Sequence, residues 1–188
     1  MNKRFNPEKL DKLNNPLRLK EIPPDYIWRK LSSDKIETMV DIGAGTGFFS
    51  IPFLKLAGKG KVYACDISSV MISWMEANIT NHYPDIIPIL INDERIPLKD
   101  SLADLVFMIT LHHELDDHGK ILRECKRLLK AGGKILIIDW KKGAGPFGPP
   151  ESSRYETAEV AKQLEQAGFK GISVDESLSK HFVVLAEK

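Results

Sequence analysis

Met39-Val40-Asp41-Ile42-Gly43-Ala44-Gly45-Thr46-Gly47 runs straight into an apolar segment that opens with Phe48. A short buried strand that turns on three glycines and then enters a helix brings bare backbone against a ligand. We read the stretch as a cofactor cradle. The helix after it extends to about Ala57 and is closed by Gly58 and Gly60. Pro52 lies within it, which predicts either a late helix start or a kink.

Outward from the cradle the chain alternates between strand and helix patterns. Lys61 to Ile67 reads as a second strand ending near Asp66. Ser68 or Ser69 caps a helix whose Met71, Met75 and Ile79 recur on one face. Ile86 to Ile91 and Leu102 to Thr110 read as the third and fourth strands, the fourth nearly continuous in apolar residues, as buried parallel strands are. Asp116 or Asp117 caps a helix carrying the stripe Ile121, Leu122, Cys125, Leu128 and Leu129, which Gly132-Gly133 are expected to stop. Lys134 to Trp140 is a fifth strand. A Gly- and Pro-rich loop (143–150) and a helix from about Thr157 to Ala167 follow. Two short strands near Gly171 to Glu176 and His181 to Glu187 then pair as a hairpin.

This order predicts an α/β, Rossmann-like three-layer sandwich, with a mostly parallel seven-stranded sheet and a C-terminal antiparallel hairpin. Residues 1–35, broken by Pro7, Pro16, Pro23 and Pro24, read as an N-terminal helical cap, with short helical pieces around Glu8 to Leu13 and Asp25 to Leu31. Residues 36–188 form the main domain.

Composition narrows the function classes. The chain has 188 residues, 43% of them hydrophobic, enough for one sizeable core. Lys and Arg number 27 against 26 Asp and Glu, a balance that disfavours a dedicated nucleic-acid binder. The longest apolar runs, such as Ile135 to Ile138, are strand-sized and predict no membrane span. Met1 to Leu19 lacks an apolar signal-peptide core, so a cytoplasmic location is expected. Cys65 and Cys125 read as small buried hydrophobes rather than a disulfide framework.

The glycine spacing then identifies the ligand class. A dinucleotide fold wants G-x-G-x-x-G, and Phe48 stands where its third glycine belongs. A ring there crowds the place of a pyrophosphate. Asp66, at the end of the second strand, is nevertheless placed to accept hydrogen bonds from two adjacent ribose hydroxyls. A nucleoside without a pyrophosphate satisfies both facts.

Four motifs in order at the ends of consecutive strands, Asp41 to Gly47, Asp66, Asn92-Asp93-Glu94 and Asp104 to Phe107, resemble those of class I S-adenosylmethionine-dependent methyltransferases. The resemblance runs from about Lys35 to the terminal hairpin. It is closest to the small-molecule branch that includes the ubiquinone and menaquinone carbon methyltransferases. It implies a methyl transfer by in-line displacement from S-adenosyl-L-methionine to a small-molecule acceptor, leaving S-adenosyl-L-homocysteine. It further implies that Gly43, Ala44, Gly45 and Gly47 approach the methionine portion and that Asp41 offsets its ammonium. Asp66 takes the ribose hydroxyls, Ile67 and Met71 pack on the adenine, Asn92, Asp93 and Glu94 border the adenine amino group, and Thr110 and Leu111 border the methionine end.

The segment Thr110 to His118 occupies the acceptor side, where His112 and His113 are candidate proton acceptors or loop-orienting groups. His113-Glu114 begins like a zinc motif, but Asp117 replaces the second histidine, so no metal site is expected. Asp139 and Trp140 lie on the same carboxyl edge. The loop 143–154 and the cap, with Phe5, Arg18 and Arg154, are candidates for a movable cover. A non-catalytic S-adenosylmethionine-binding partner or sensor subunit, and a protein or RNA methyltransferase, stay open as alternatives. The acceptor and the oligomeric state are not encoded in these motifs.

Overall fold

The sheet is where the alternating pattern becomes architecture. In a computed structural model describing residues 10–32, 35–92 and 95–188, the strands are β1 (Thr38–Ile42), β2 (Lys61–Asp66), β3 (Ile86–Leu90), β4 (Ala103–Ile109), β5 (Leu129–Trp140), β6 (Lys170–Asp175) and β7 (His181–Glu187). Their order across the sheet is β3-β2-β1-β4-β5-β7-β6. β7 alone runs opposite to the other six strands, completing the expected hairpin with β6.

Successive residues of the central strands feed two separate cores, as a pleat buried on both faces requires. Met39, Leu105, Phe107, Leu136 and Ile138 point to one face, Val40, Val106, Met108, Ile135 and Ile137 to the other. The first face is covered by α3 (Pro24–Leu31), α4 (Ser50–Ala57) and α5 (Ser69–Asn78), and the second by α6 (His118–Leu128) and α7 (Thr157–Gln166). On the first face Phe53 stacks on Phe107 with ring centroids 4.7 Å apart, and Trp28 meets the Phe53 edge at 5.8 Å.

Several local expectations resolve physically. Pro52 is accommodated by a late start: α4 begins at Ser50, so the proline sits in the first turn, where its missing N–H costs nothing. Ser68 caps α5 and Asp117 caps α6. Gly132-Gly133 do not stop α6. That helix ends at Leu128, and the glycines lie inside β5, at the register shift between the pairs Ala103↔Leu129 and Leu105↔Lys134. At the opposite end of the sheet from the cradle, the Asp104 carboxylate accepts from the N–H groups of Glu37 and Thr38 and from Lys130, tying the starts of β1, β4 and β5 together.

Residues 10–31 form three short helices, α1 (Leu10–Leu13), α2 (Leu17–Glu21) and α3, the second of them not foreseen from the sequence. Pro16 precedes α2, and Pro24 starts α3. Ile22, Ile27 and Leu31 are buried in the same core as Met39 and Phe53. The Tyr26 hydroxyl donates to Asp175 at 2.7 Å, and Lys30 pairs with the same carboxylate, joining α3 to β6. Cys65 and Cys125 are free and fully buried. Among the described residues no helix is long and apolar enough to cross a membrane.

Candidate functional site

β1 and β4 are neighbours whose following connections run to opposite sides, β1 to β2 and β4 to β5, and such a switch point opens a crevice at the carboxyl edge of the sheet, the usual place for ligands in such folds. The glycine turn forms the floor of that crevice. Gly43, Gly45 and Gly47 all have positive φ, near +70°, +57° and +70°. A side chain at Gly43 would meet the Leu111 methyl at 2.6 Å, and one at Gly45 would meet Leu13 at 3.2 Å. Both the conformation and the space demand glycine there. The N–H groups of Gly43 and Ala44 donate to the Cys65 carbonyl at 2.8 and 3.0 Å, locking the turn to β2.

Asp66 is organised by backbone donors. Its carboxylate accepts from Gly45 N–H at 2.8 Å and Ser68 N–H at 2.9 Å and is almost fully buried. Burial raises its pKa, against the pull of those N–H bonds. Asp41, beneath the turn, accepts from the Ser50 hydroxyl at 2.6 Å. Burial pushes its pKa up to about 7, the Ser50 bond opposing, Asp66 adding to the rise and Arg18 lowering it. Two buried carboxylates held above their ordinary range favour a ligand that brings positive charge.

The remaining predicted cradle residues distribute as follows. Ile67 is exposed just after β2, whereas Met71 is buried in the first turn of α5. Asn92 is exposed just after β3, its Oδ1 accepting from Arg95 N–H at 3.3 Å. Asp93 and Glu94 lie outside the described residues. Thr110 directly follows β4 with φ of 56°, a strained conformation for a β-branched residue, and its N–H donates to the Ile138 carbonyl. Leu111 follows over Gly43.

The two histidines separate. His112 is buried and turned toward α7, with Nε2 hydrogen-bonded to Gln163 Oε1 at 2.7 Å and its ring against His118 and Tyr155. Burial lowers its pKa to about 4, with His118 adding to the effect. His113 donates from Nδ1 to Asp139 Oδ1 at 2.8 Å, and its backbone N–H donates to Asp139 Oδ2 at 3.0 Å. Burial would lower the His113 pKa, but the Asp139 hydrogen bond and charge outweigh it, and the ring titrates above its ordinary range.

Three more side chains shape this edge. Arg18, from α2, donates to the Leu13 carbonyl at 2.7 Å and to Thr110 Oγ1 at 3.1 Å and lies over the rings of Phe48 and Phe49. His181, the first residue of β7, packs tilted against Trp140 with centroids 4.3 Å apart, and it is 1% exposed with neither ring nitrogen hydrogen-bonded among the described residues. The sequence reading passed over it. The signal was its place, since an antiparallel strand begins at the carboxyl edge of its parallel neighbours. Arg154 is buried and gathers the carbonyls of Lys141, Gly145, Phe147 and Pro149, so it builds the 143–154 loop from within rather than facing a ligand. Phe5 lies outside the described residues. Among the described residues no cluster of three His, Cys, Asp or Glu side chains is placed to hold a metal ion.

Comparison with known proteins agrees with this geometry. The profile of the methyltransferase domain family matches residues 40–137. The ubiquinone/menaquinone biosynthesis C-methyltransferase of Hahella chejuensis is 30% identical over 129 residues, 64% of this chain and 52% of that protein. Its Haemophilus ducreyi counterpart is 29% identical over 137 residues, 69% of this chain and 52% of that protein. The chain thus spans about half the length of the curated relatives it matches. Among solved structures, a SAM dependent methyltransferase from Aquifex aeolicus superposes with a TM-score of 0.91 at 33% identity, covering 98% of this chain and 99% of that one.

Proposed function

The chain belongs to the class I S-adenosylmethionine-dependent methyltransferases, and on that premise we propose that it methylates a small-molecule acceptor. The observation that carries the reading is the joint placement of Asp66 and the glycine turn. A carboxylate already aligned by Gly45 and Ser68 N–H groups keeps further lone pairs for a ribose diol. S-adenosylmethionine supplies a sulfonium methyl for in-line displacement, and its net positive charge suits the raised carboxylates Asp41 and Asp66. In this reading Gly43, Ala44, Gly45 and Gly47 pass under the methionine portion and Asp41 offsets the ammonium. Thr110 and Leu111 close the far side, and Ile67, Met71 and Asn92 to Glu94 enclose the adenine.

On the acceptor side, His113 is the better-suited proton acceptor of the two histidines. Asp139 fixes its Nδ1–H tautomer and raises its basicity, whereas His112 is committed to Gln163. Alignment and exclusion of water carry most of the acceleration in such a displacement. Residues 10–32 serve as a cap over this edge of the domain, anchored through Ile22, Ile27 and Leu31. The curated relatives' names, carbon methyltransferases of quinone biosynthesis, support a small-molecule acceptor.

The test is label transfer from methyl-tritiated S-adenosylmethionine into a cell extract separated into metabolite, protein and RNA fractions. Label is expected in the metabolites. Label confined to protein or RNA would overturn the acceptor class. Tight donor binding with no transfer to any fraction would favour the sensor-subunit alternative.

A further inference from the structure

His181 is a buried polar ring that the fold leaves unused. Neither Nδ1 nor Nε2 has a hydrogen-bond partner among the described residues, and both atoms are shut off from solvent. A neutral imidazole offers one N–H donor and one lone pair, and burying both unpaired is costly. Packing gives no reason for the choice. Phe182, Val183 and Val184 follow it in the strand, all buried, and an apolar ring at 181 would fill the same space without that cost. Such a group calls for a partner from outside the chain.

Its place indicates which partner. His181 lies directly across from Trp140, the last residue of β5, at the carboxyl edge of the sheet, and Asp139, which holds His113, is the residue before that tryptophan. Trp140 is a fixed wall: a side chain at Gly148 would meet its ring at 2.6 Å, and the Arg154 guanidinium lies 5.7 Å from its ring centre. The imidazole and the indole are inclined at 50° to each other. Over this corner runs α2, whose last residue, Glu21, pairs with Lys180, the neighbour of His181. Both side chains of that pair are about 30% exposed, and an ion pair so open to water holds weakly. At this corner, therefore, a weakly fastened cover lies over a ring with unmet hydrogen-bonding capacity.

We propose that His181 binds the methyl acceptor, one ring nitrogen hydrogen-bonding an uncharged hydroxyl or carbonyl oxygen of a molecule seated against Trp140 beneath the end of α2. The assignment rests on the small-molecule reading above and adds to it a residue that positions the acceptor. Burial keeps the ring neutral at physiological pH, its pKa lowered to about 4, so it donates to or accepts from a neutral oxygen rather than pairing with an anion. The two histidines of this edge then divide the work: His113, held by Asp139, is the proton acceptor, and His181 is the anchor.

The experiment measures methyl transfer by the full chain from tritiated S-adenosylmethionine into the metabolite fraction of a cell extract, over a dilution series of that fraction, alongside calorimetric titration with S-adenosylhomocysteine. His181→Phe keeps a ring and removes both nitrogens. It should need about 10-fold more of the fraction for half-maximal rate, the worth of a hydrogen bond to a group otherwise buried unpaired. Its maximal rate and its affinity for S-adenosylhomocysteine should stay within about twofold of wild type, as for a contact made equally before and during the reaction. His181→Asn, which restores a donor and an acceptor, should recover part of the loss, whereas a purely structural role would rank the apolar phenylalanine above asparagine. His181→Leu takes the place of His181→Phe if melting curves show the latter to be unfolded. An unchanged half-maximal point, an equal loss of S-adenosylhomocysteine binding, or asparagine below phenylalanine would overturn the proposal. Wild type that binds S-adenosylhomocysteine yet labels no metabolite would instead overturn the small-molecule reading, and this assignment with it.

Discussion

His181→Phe should alter the pH dependence of stability in a calculable way. Burial lowers the His181 pKa from 6.5 to about 4, with Glu21 and Asp139 opposing and Arg18 and Lys180 assisting. Below its unfolded pKa the ring takes up a proton in the unfolded chain but not in the fold, so stability falls as pH drops toward the folded pKa. Linkage converts this into a loss of about 2 kcal/mol between pH 7 and pH 5 from this one side chain. Asp41, His112 and His113 also titrate, but they do so in wild type and variant alike and cancel in the difference. Urea unfolding of both proteins at the two pH values should therefore show the variant gaining about 2 kcal/mol relative to wild type on acidification. A difference that stays constant with pH would refute the claim that the ring is buried and neutral.

Donor binding should itself respond to pH, because Asp41 titrates near 7 and must be ionised to face an ammonium. Calorimetric affinity for S-adenosylhomocysteine is expected to rise by about tenfold from pH 6 to pH 8, and a flat profile would remove Asp41 from that role. Arg154→Ala withdraws the hub of the 143–154 loop and should cost about 2–4 kcal/mol, while exposing that loop to limited proteolysis. Protection equal to wild type would show that the loop holds without it. Phe53→Ala opens a cavity beside Phe107 and should lower stability by about 3–5 kcal/mol in denaturant melts, with a much smaller loss indicating that the core refills.

The parts of the fold carried by local pattern were the parts the sequence revealed. The nearly continuous apolar runs of β4 and β5, the capping by Ser68 and Asp117, and the glycine turn before a helix are each written within a few residues. Pro52 called for either a late start of α4 or a kink, and the late start is what forms. Gly132-Gly133 misled because a glycine pair stops a helix or accommodates a strand irregularity equally well, and only the pairing of Leu129 with Ala103 decides between them.

In the site, Asp66 and the glycines were legible because their partners are sequence neighbours or lie one strand away. His113 and Asp139 were both noticed, but their pairing depends on adjacent strand ends. Arg18 reaches Thr110 across 92 residues, and Tyr26 reaches Asp175 across 149, so no local spacing encodes either contact. Arg154 read as part of a movable cover because the carbonyls it gathers leave no mark in side-chain identity. His181 was hidden by topology, since its place at the ligand edge follows only from the reversed direction of β7.

The central claim, that the glycine turn and Asp66 form a methyl-donor site, is tested most directly by titrating S-adenosylhomocysteine into wild type and Asp66→Ala, with melting curves confirming that both are folded. Wild type should bind in the micromolar range and the variant about 100-fold more weakly, the loss expected when a carboxylate that accepts from two hydroxyls is removed. Equal affinity in the two folded proteins would contradict the assignment of the site.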